Sequence, residues 1–244
     1  MGSEEILLDA IPGANNHNGS RLAFGPDGLL YITTGNTLID SLPQSTTSLA
    51  GKILRLTDIG IPAPDNPFDS GIYTIGHRNA QDMVFHPSTG QLYITEHGPR
   101  DNDEVNLVTG GGNYGWPNVH GFCEDDVTGL NETGFCASTP VSEPLITWTP
   151  TIAPSGLDYY GSDLIAEWTH SLLFTSLRSA SLYRLPLTPD GRGIMGQEIL
   201  FQGEFGRLRD VLVGPRGEVY LATSNRDGRG NTGPRDDRII LITR

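Results

Sequence analysis

A pair of alternating runs, repeated about every sixty residues, constrains this chain most. LAFGPDGLLYITTGN (22–36), MVFHPSTGQLYITEHG (83–98) and VLVGPRGEVYLATSN (211–225) align with one another. Each is an apolar alternation, a Gly/Pro-containing turn and a second alternation, the pattern of a β-hairpin. The first two begin 61 residues apart and the last two 128, about double that step, so a copy belongs between them. GLDYYGSDLIAEWTHSLLFTSL (156–177) fills the gap with a longer connection. Third runs follow each hairpin at 51–56, 104–108, 181–187 and 238–244, and fourth runs at 71–76, 144–148 and 197–202. The last copy lacks a fourth run, and EEILLDAI (4–11), which resembles QEILFQGE, is the strand expected to supply it. The chain therefore reads as an all-β protein, a β-propeller of about four four-stranded blades in a single domain over 1–244. The blades span roughly 20–76, 80–148, 154–202 and 207–244, with 4–11 as the closing strand. Closing a ring removes exposed sheet edges. A two-sheet sandwich also fits short strands with regular turns, and the internal period favours the propeller. Helical pattern is nearly absent; SDLIAEWTH (162–170) reads as one short turn.

Composition agrees with a turn-rich β-protein: 31 glycines and 17 prolines against only 18% charged residues. The net charge of −13, with no Lys/Arg run, argues against a nucleic-acid surface. It favours small neutral substrates or bound cations. No apolar stretch is long enough to span a membrane. Met1-Gly2-Ser3 runs straight into the strand-like 4–11 segment, without the pattern of a signal peptide. Cys123 and Cys136 share one loop-like insert. A local disulfide, implying an oxidising compartment, and two free thiols are the two readings.

Several polar constellations sit where loops should be. His17 lies on a Gly/Asn-rich entry to a strand, and an imidazole near its ordinary pKa suits a general base; the plain alternative is a hydrogen-bonded loop histidine. Gly76-His77-Arg78-Asn79 offers a guanidinium fork suited to an oxygen that becomes anionic, with His77 read as a structural hydrogen-bonder. Gly98-Pro99, after Glu96-His97, offers two backbone carbonyls from a stiff turn, ligands of the kind calcium takes. Asp101, Asp103 and Glu104 read otherwise as a solvated acidic turn. Trp148 stands at a strand exit, able to stack on a flat ring or to fill a core. Arg178, Arg207 and Arg209 are candidates for anion binding in an acidic chain, or ordinary surface arginines.

Together, in order, these segments resemble the soluble PQQ-dependent glucose/aldose sugar (sorbosone) dehydrogenase family, six-bladed propellers longer than this chain by roughly two N-terminal blades. The resemblance runs from Glu5 to Arg244. It implies an oxidoreductase that oxidises aldose sugars at C1 with pyrroloquinoline quinone (PQQ) and calcium. His17 would be the base and Arg78 the group steadying developing charge. Asn79, His97, Trp148, Thr151, Arg178, Arg207 and Arg209 would face the cofactor. Gly98 and Pro99 would hold the catalytic calcium, and Glu104 and Tyr114 a second, structural one. The chain departs from the glucose dehydrogenases at Asn16, where they carry Asp, at Arg178, where the family has Lys, and at Ser224-Asn225. The parent protein would be periplasmic or extracellular, its partner a sugar, its electron acceptor unspecified, and it would be a homo-oligomer if the ring were open. The alternative is a non-catalytic, calcium-stabilised propeller serving as a binding scaffold.

Overall fold

The computed structural model describes residues 4–125 and 129–243, so Met1-Gly2-Ser3 and Arg244 lie outside the described residues. It is nearly all β. Two compact units are formed, Met1–Ala80 with Val108–Glu143, and Gln81–Leu107 with Pro144–Arg244.

The first unit holds one antiparallel sheet in chain order: β1 (Gly19–Phe24), β2 (Leu30–Thr34), β3 (Ile53–Leu56) and β4 (Ile72–Thr74). Leu22 pairs with Ile32 and Ile32 with Leu54, so the alternation is in register across the sheet. Leu54, Ile72 and Ile75 form its apolar cluster, with Leu8 and Ile32 against it. Residues 4–11 form no strand. Leu8 of that segment packs against the first unit's apolar cluster.

The loop between β2 and β3 folds around a buried lysine, whose amine pKa is pushed down by burial to about 7. Lys52 is 0% exposed, and its ammonium donates to the carbonyls of Leu42 (2.9 Å), Pro43 (2.9 Å) and Ala50 (2.6 Å). Three acceptors match the three N–H bonds of the protonated form, and burial still disfavours its charge. Lys52→Met keeps the stem volume and leaves three carbonyls unmatched. We expect a loss of about 3 kcal/mol, read as a fall of roughly 6–12 °C in melting temperature; a change within 2 °C, or about 0.5–1 kcal/mol, would refute this role.

The second unit holds three sheets. β5 (Ala80–Phe85), β6 (Leu92–Glu96), β7 (Asp103–Val108) and β8 (Ile146–Trp148) form one, apart from the end residues Ala80 and Val108. β9 (Pro154–Tyr160), β10 (Ser171–Ser176), β11 (Ser181–Pro186) and β12 (Glu198–Leu200) form the next. β13 (Leu208–Val213), β14 (Val219–Thr223) and β15 (Ile239–Ile242) form a three-stranded sheet among the described residues. Strand β10 explains its own unalternating LLF run. Period-two geometry sends Leu172 and Phe174 into one core cluster and Leu173 into another, because both faces of the sheet are covered.

Buried aspartates stitch these sheets together. Asp82 on β5 accepts from Met83 N and, through its other oxygen, from Leu157 N on β9 (both 2.7 Å). Asp158 on β9 repeats this with Tyr159 N (2.8 Å) and Val213 N on β13 (2.6 Å). Burial pushes the Asp158 carboxyl up, with the backbone donors opposing it.

The insert after β7 contains the helix missed in the sequence, α1 (Glu132–Ser138), while 166–168 form the short turn expected there, as a 3₁₀ helix. Cys123 and Cys136 form a disulfide with Cα atoms 6.0 Å apart, so the first of the two cysteine readings holds. Among the described residues, no helix is long and apolar enough to cross a membrane.

Candidate functional site

In an up-and-down sheet the first strand starts, the second ends, the third starts and the fourth ends at the same edge. The sequence candidates fall at that edge in sheet after sheet: His17 before β1, Arg78 and Asn79 after β4, 97–99 after β6, Thr151 after β8, Arg178 between β10 and β11, and Arg207 ahead of β13.

In the first unit, His17 and Arg78 are brought together. His17 is half-buried with a left-handed backbone, φ 57°. Its Nδ1 bonds Asn36 Oδ1 at 3.0 Å, and its Nε2 meets Arg78 Nη2 at 3.3 Å. An amide oxygen only accepts, so Nδ1 carries the proton and Nε2 presents the lone pair. Asn36 is 1% exposed and is fixed in turn by donating to Asp40 Oδ1 at 3.0 Å. The orienting partner is thus Asn36, nineteen residues on, and not the exposed neighbour Asn16. Sequence reasoning missed Asn36 and Asp40, because nothing local links them to His17. Gly35 is obligatory here, since a Cβ would collide with the His17 carbonyl.

Burial first, and then the Arg78 charge, hold the His17 imidazole below its ordinary value, against the Asn36 bond and the Asp40 charge. His17 is therefore neutral at pH 7. Its depressed pKa contributes stability above pH about 6.5 that is lost as pH falls through the folded value. Arg78→Gln removes the cation, so the His17 ring should titrate at higher pH in the variant when followed by NMR. An unmoved or lowered midpoint would show that Arg78 does not set it.

Arg78 also lies 5.1 Å over the Trp116 ring. Its carbonyl accepts from Asn36 N at 2.7 Å, tying the two loops. Asn79 is 6% exposed and accepts from Gly19 N at 3.2 Å. His77 is fully buried, bonded to Thr74 Oγ1 (2.8 Å) and stacked on Tyr114 (4.5 Å). Tyr114 accepts from Thr109 N at its hydroxyl (2.9 Å).

In the second unit, Asp103 organises the Gly98-Pro99 turn. It is 1% exposed; Oδ1 accepts from Gly98 N (2.8 Å), and Oδ2 accepts from Ile152 N and Ala153 N (both 2.6 Å). Gly98 is required because a Cβ would meet the Asp101 carbonyl. His97 bonds Pro154 O through Nε2 at 2.7 Å, and Glu104 accepts from Asn106 at 3.0 Å. Among the described residues no group of three or more His, Cys, Asp and Glu side chains is arranged to hold a metal. The Gly98-Pro99 turn carries two consecutive backbone carbonyls, ligands of the kind calcium takes.

Thr151 Oγ1 accepts from Arg178 Nη1 at 2.6 Å. Arg207 is committed to Asp227 (2.7 and 3.0 Å) and to the Leu177 carbonyl (3.1 Å), whereas Arg209 is 44% exposed and 3.8 Å from Asp227. Trp148, expected to stack on a flat ligand, stands at the end of β8. It is 9% exposed, packs on Phe174 (5.1 Å) and Tyr183 (5.8 Å), and donates to Gln197 (2.9 Å).

A family model described as Glucose / Sorbosone dehydrogenase matches residues 1–240. Aldose sugar dehydrogenase YliI of Escherichia coli K12 is 34% identical over 225 residues, covering 87% of this chain and 58% of that protein. Quinoprotein glucose dehydrogenase B of Acinetobacter calcoaceticus is 30% identical, covering 97% and 64%. The structure of the PQQ-bound aldose sugar dehydrogenase from Streptomyces coelicolor superimposes with a TM-score of 0.80 at 37% identity, over 96% of this chain and 64% of that one. The chain thus spans about three fifths of the length of these relatives. Its sheets are the blades of a β-propeller fold. With the family model spanning nearly all of it, the chain belongs to the glucose/sorbosone dehydrogenase family.

Proposed function

We propose that this chain carries sugar-oxidising chemistry: hydride transfer from C1 of an aldose to PQQ, with calcium. The observation that carries the reading is the neutral His17, its Nδ1 proton held by Asn36 and its Nε2 beside Arg78. When bound, PQQ supplies a two-electron quinone acceptor that calcium polarises. The chain's own residues supply the rest. His17 Nε2 takes the proton of the C1 hydroxyl while the hydride leaves C1, so the sugar becomes a lactone. Asn36 and Asp40 keep the imidazole in the tautomer that can accept that proton. Arg78 faces His17 and steadies negative charge developing beside it.

Each unit carries, by itself, groups suited to an anionic quinone: Arg78 and Asn79 in the first, and Arg178, Thr151 and the half-exposed Arg209 in the second. The Gly98 and Pro99 carbonyls are the proposed calcium ligands, with Glu104 and Tyr114 proposed for a structural ion. The Cys123–Cys136 disulfide supports a periplasmic or extracellular site of action.

Titration of metal-stripped protein with PQQ and calcium, read by absorbance and by dye reduction with glucose, tests this. Saturable binding with sugar-dependent dye reduction is the expected result. Absence of binding at micromolar PQQ would overturn the reading in favour of a propeller scaffold.

A further inference from the structure

Arg78 can face His17 only if something holds it there, because an arginine side chain is long and rich in rotamers. Its Nη2 meets His17 Nε2 at 3.3 Å, a bond to a neutral ring that is too weak to fix the side chain alone. Aromatic rings lie beside the guanidinium. Arg78 Cζ is 5.1 Å from the centre of the Trp116 ring, and Trp116 stacks on His120 at 4.6 Å with the planes 16° apart. Guanidinium, indole and imidazole are thus in contact in turn, all within the first unit.

The two rings are braced through their main chains. Trp116 N donates to Gly76 O at 2.9 Å, and Trp116 O accepts from Gln44 Nε2 at 2.7 Å. Gln44 is fixed in turn by Asn113, in a reciprocal pair at 3.0 and 2.8 Å. Gly76 stands just before His77-Arg78, so the indole and the guanidinium leave segments that are tied to each other. His120 N donates to Glu132 Oε1 at 2.9 Å. Glu132 is 0% exposed and opens α1, whose Cys136 is bonded to Cys123. The disulfide-closed insert thereby reaches the ring beside Trp116. Trp116 Nε1 is buried and has no hydrogen-bond partner among the described residues. A buried tryptophan kept for its N–H would spend it; what Trp116 contributes here is its ring.

We propose that Trp116 and His120 are positioning residues, whose stacked rings fix the Arg78 guanidinium against His17 Nε2. A ring face attracts a cation without bringing a counter-charge. A carboxylate in the same place would hold Arg78 too, but it would cancel the charge that acts on His17 and that steadies negative charge developing beside it. Arg207, held by Asp227, shows the other arrangement. The placement rests on the proposed function only for the reaction it serves.

An NMR titration of the His17 ring in the full chain, with no cofactor added, tests this. The charges acting on that ring are Arg78 and Asp40, and Asp40 is kept in every variant. Trp116→Leu should raise the midpoint towards that of Arg78→Gln, and the double variant should titrate with Arg78→Gln and not beyond it. Trp116→Phe, which keeps a ring face, should stay near the parent. If Trp116→Leu does not fold, His120→Ala combined with Arg78→Gln runs the same cycle. Shifts that add would mean that the rings only exclude water, and a parent-like midpoint in folded Trp116→Leu would mean that Arg78 keeps its place without them; either overturns the positioning role. In the PQQ- and calcium-loaded protein, Trp116→Leu should lower kcat for aldose oxidation about 10²-fold, and a parent-like rate overturns the role as well. A parent that binds no PQQ and oxidises no aldose sinks the proposed function, while the titration still decides whether the rings place Arg78.

Discussion

His17→Ala lowers the rate of aldose oxidation by the PQQ- and calcium-loaded protein about 10²–10⁴-fold, the range for losing a general base. PQQ affinity changes little, because the imidazole is spent on Asn36 and Arg78 and not on anion binding. His17→Asn serves as the second variant, since asparagine tolerates the left-handed backbone at φ 57° and protects the fold. The acid limb of the rate profile in the parent should fall below the usual imidazole value, in the direction burial and Arg78 impose. Asn36→Asp adds a charge at Nδ1 and should move that limb upward. Equal rates in His17→Asn and parent would remove His17 from the chemistry.

Asp103→Ala lowers stability by about 3–5 kcal/mol, because three partly buried backbone N–H groups, at Gly98, Ile152 and Ala153, lose a buried acceptor at once. That corresponds to a fall of roughly 6–20 °C in melting temperature for a chain of this size. The same carboxylate ties the Gly98-Pro99 turn to the connection after β8, so calcium affinity should fall with it. Calcium titration at a temperature where the variant is still folded separates the two effects. Parent-like calcium binding there would show that the Gly98-Pro99 carbonyls are not the ligands, or are held without Asp103.

Trp148 reads from the sequence as platform or core, and only the structure sets Phe174 and Tyr183, which arrive from another sheet, beside it. The 4–11 segment has strand-like alternation, but alternation does not say which surface it meets, and Leu8 packs beside Leu54 and Ile72. Helix α1 gave no signal because its seven residues carry glycine, serine and cysteine and no apolar period.

What the sequence determined by itself is everything with a short period or a short span. The hairpins at 22–36, 83–98 and 211–225 follow from alternation interrupted by Gly/Pro turns, and up-and-down pairing then puts 97–99, Arg178 and Arg207 at corresponding sheet edges. Motif order alone reached the family. Only the tertiary structure decided that Asn36 and Asp40 orient His17, that Asp103 holds Gly98, and that Asp227 holds Arg207. Those assignments depend on hydrogen-bond directions between loops that the hairpins bring together. A one-dimensional pattern fixes which face a side chain takes, whereas its partner is fixed by which loop folds over it.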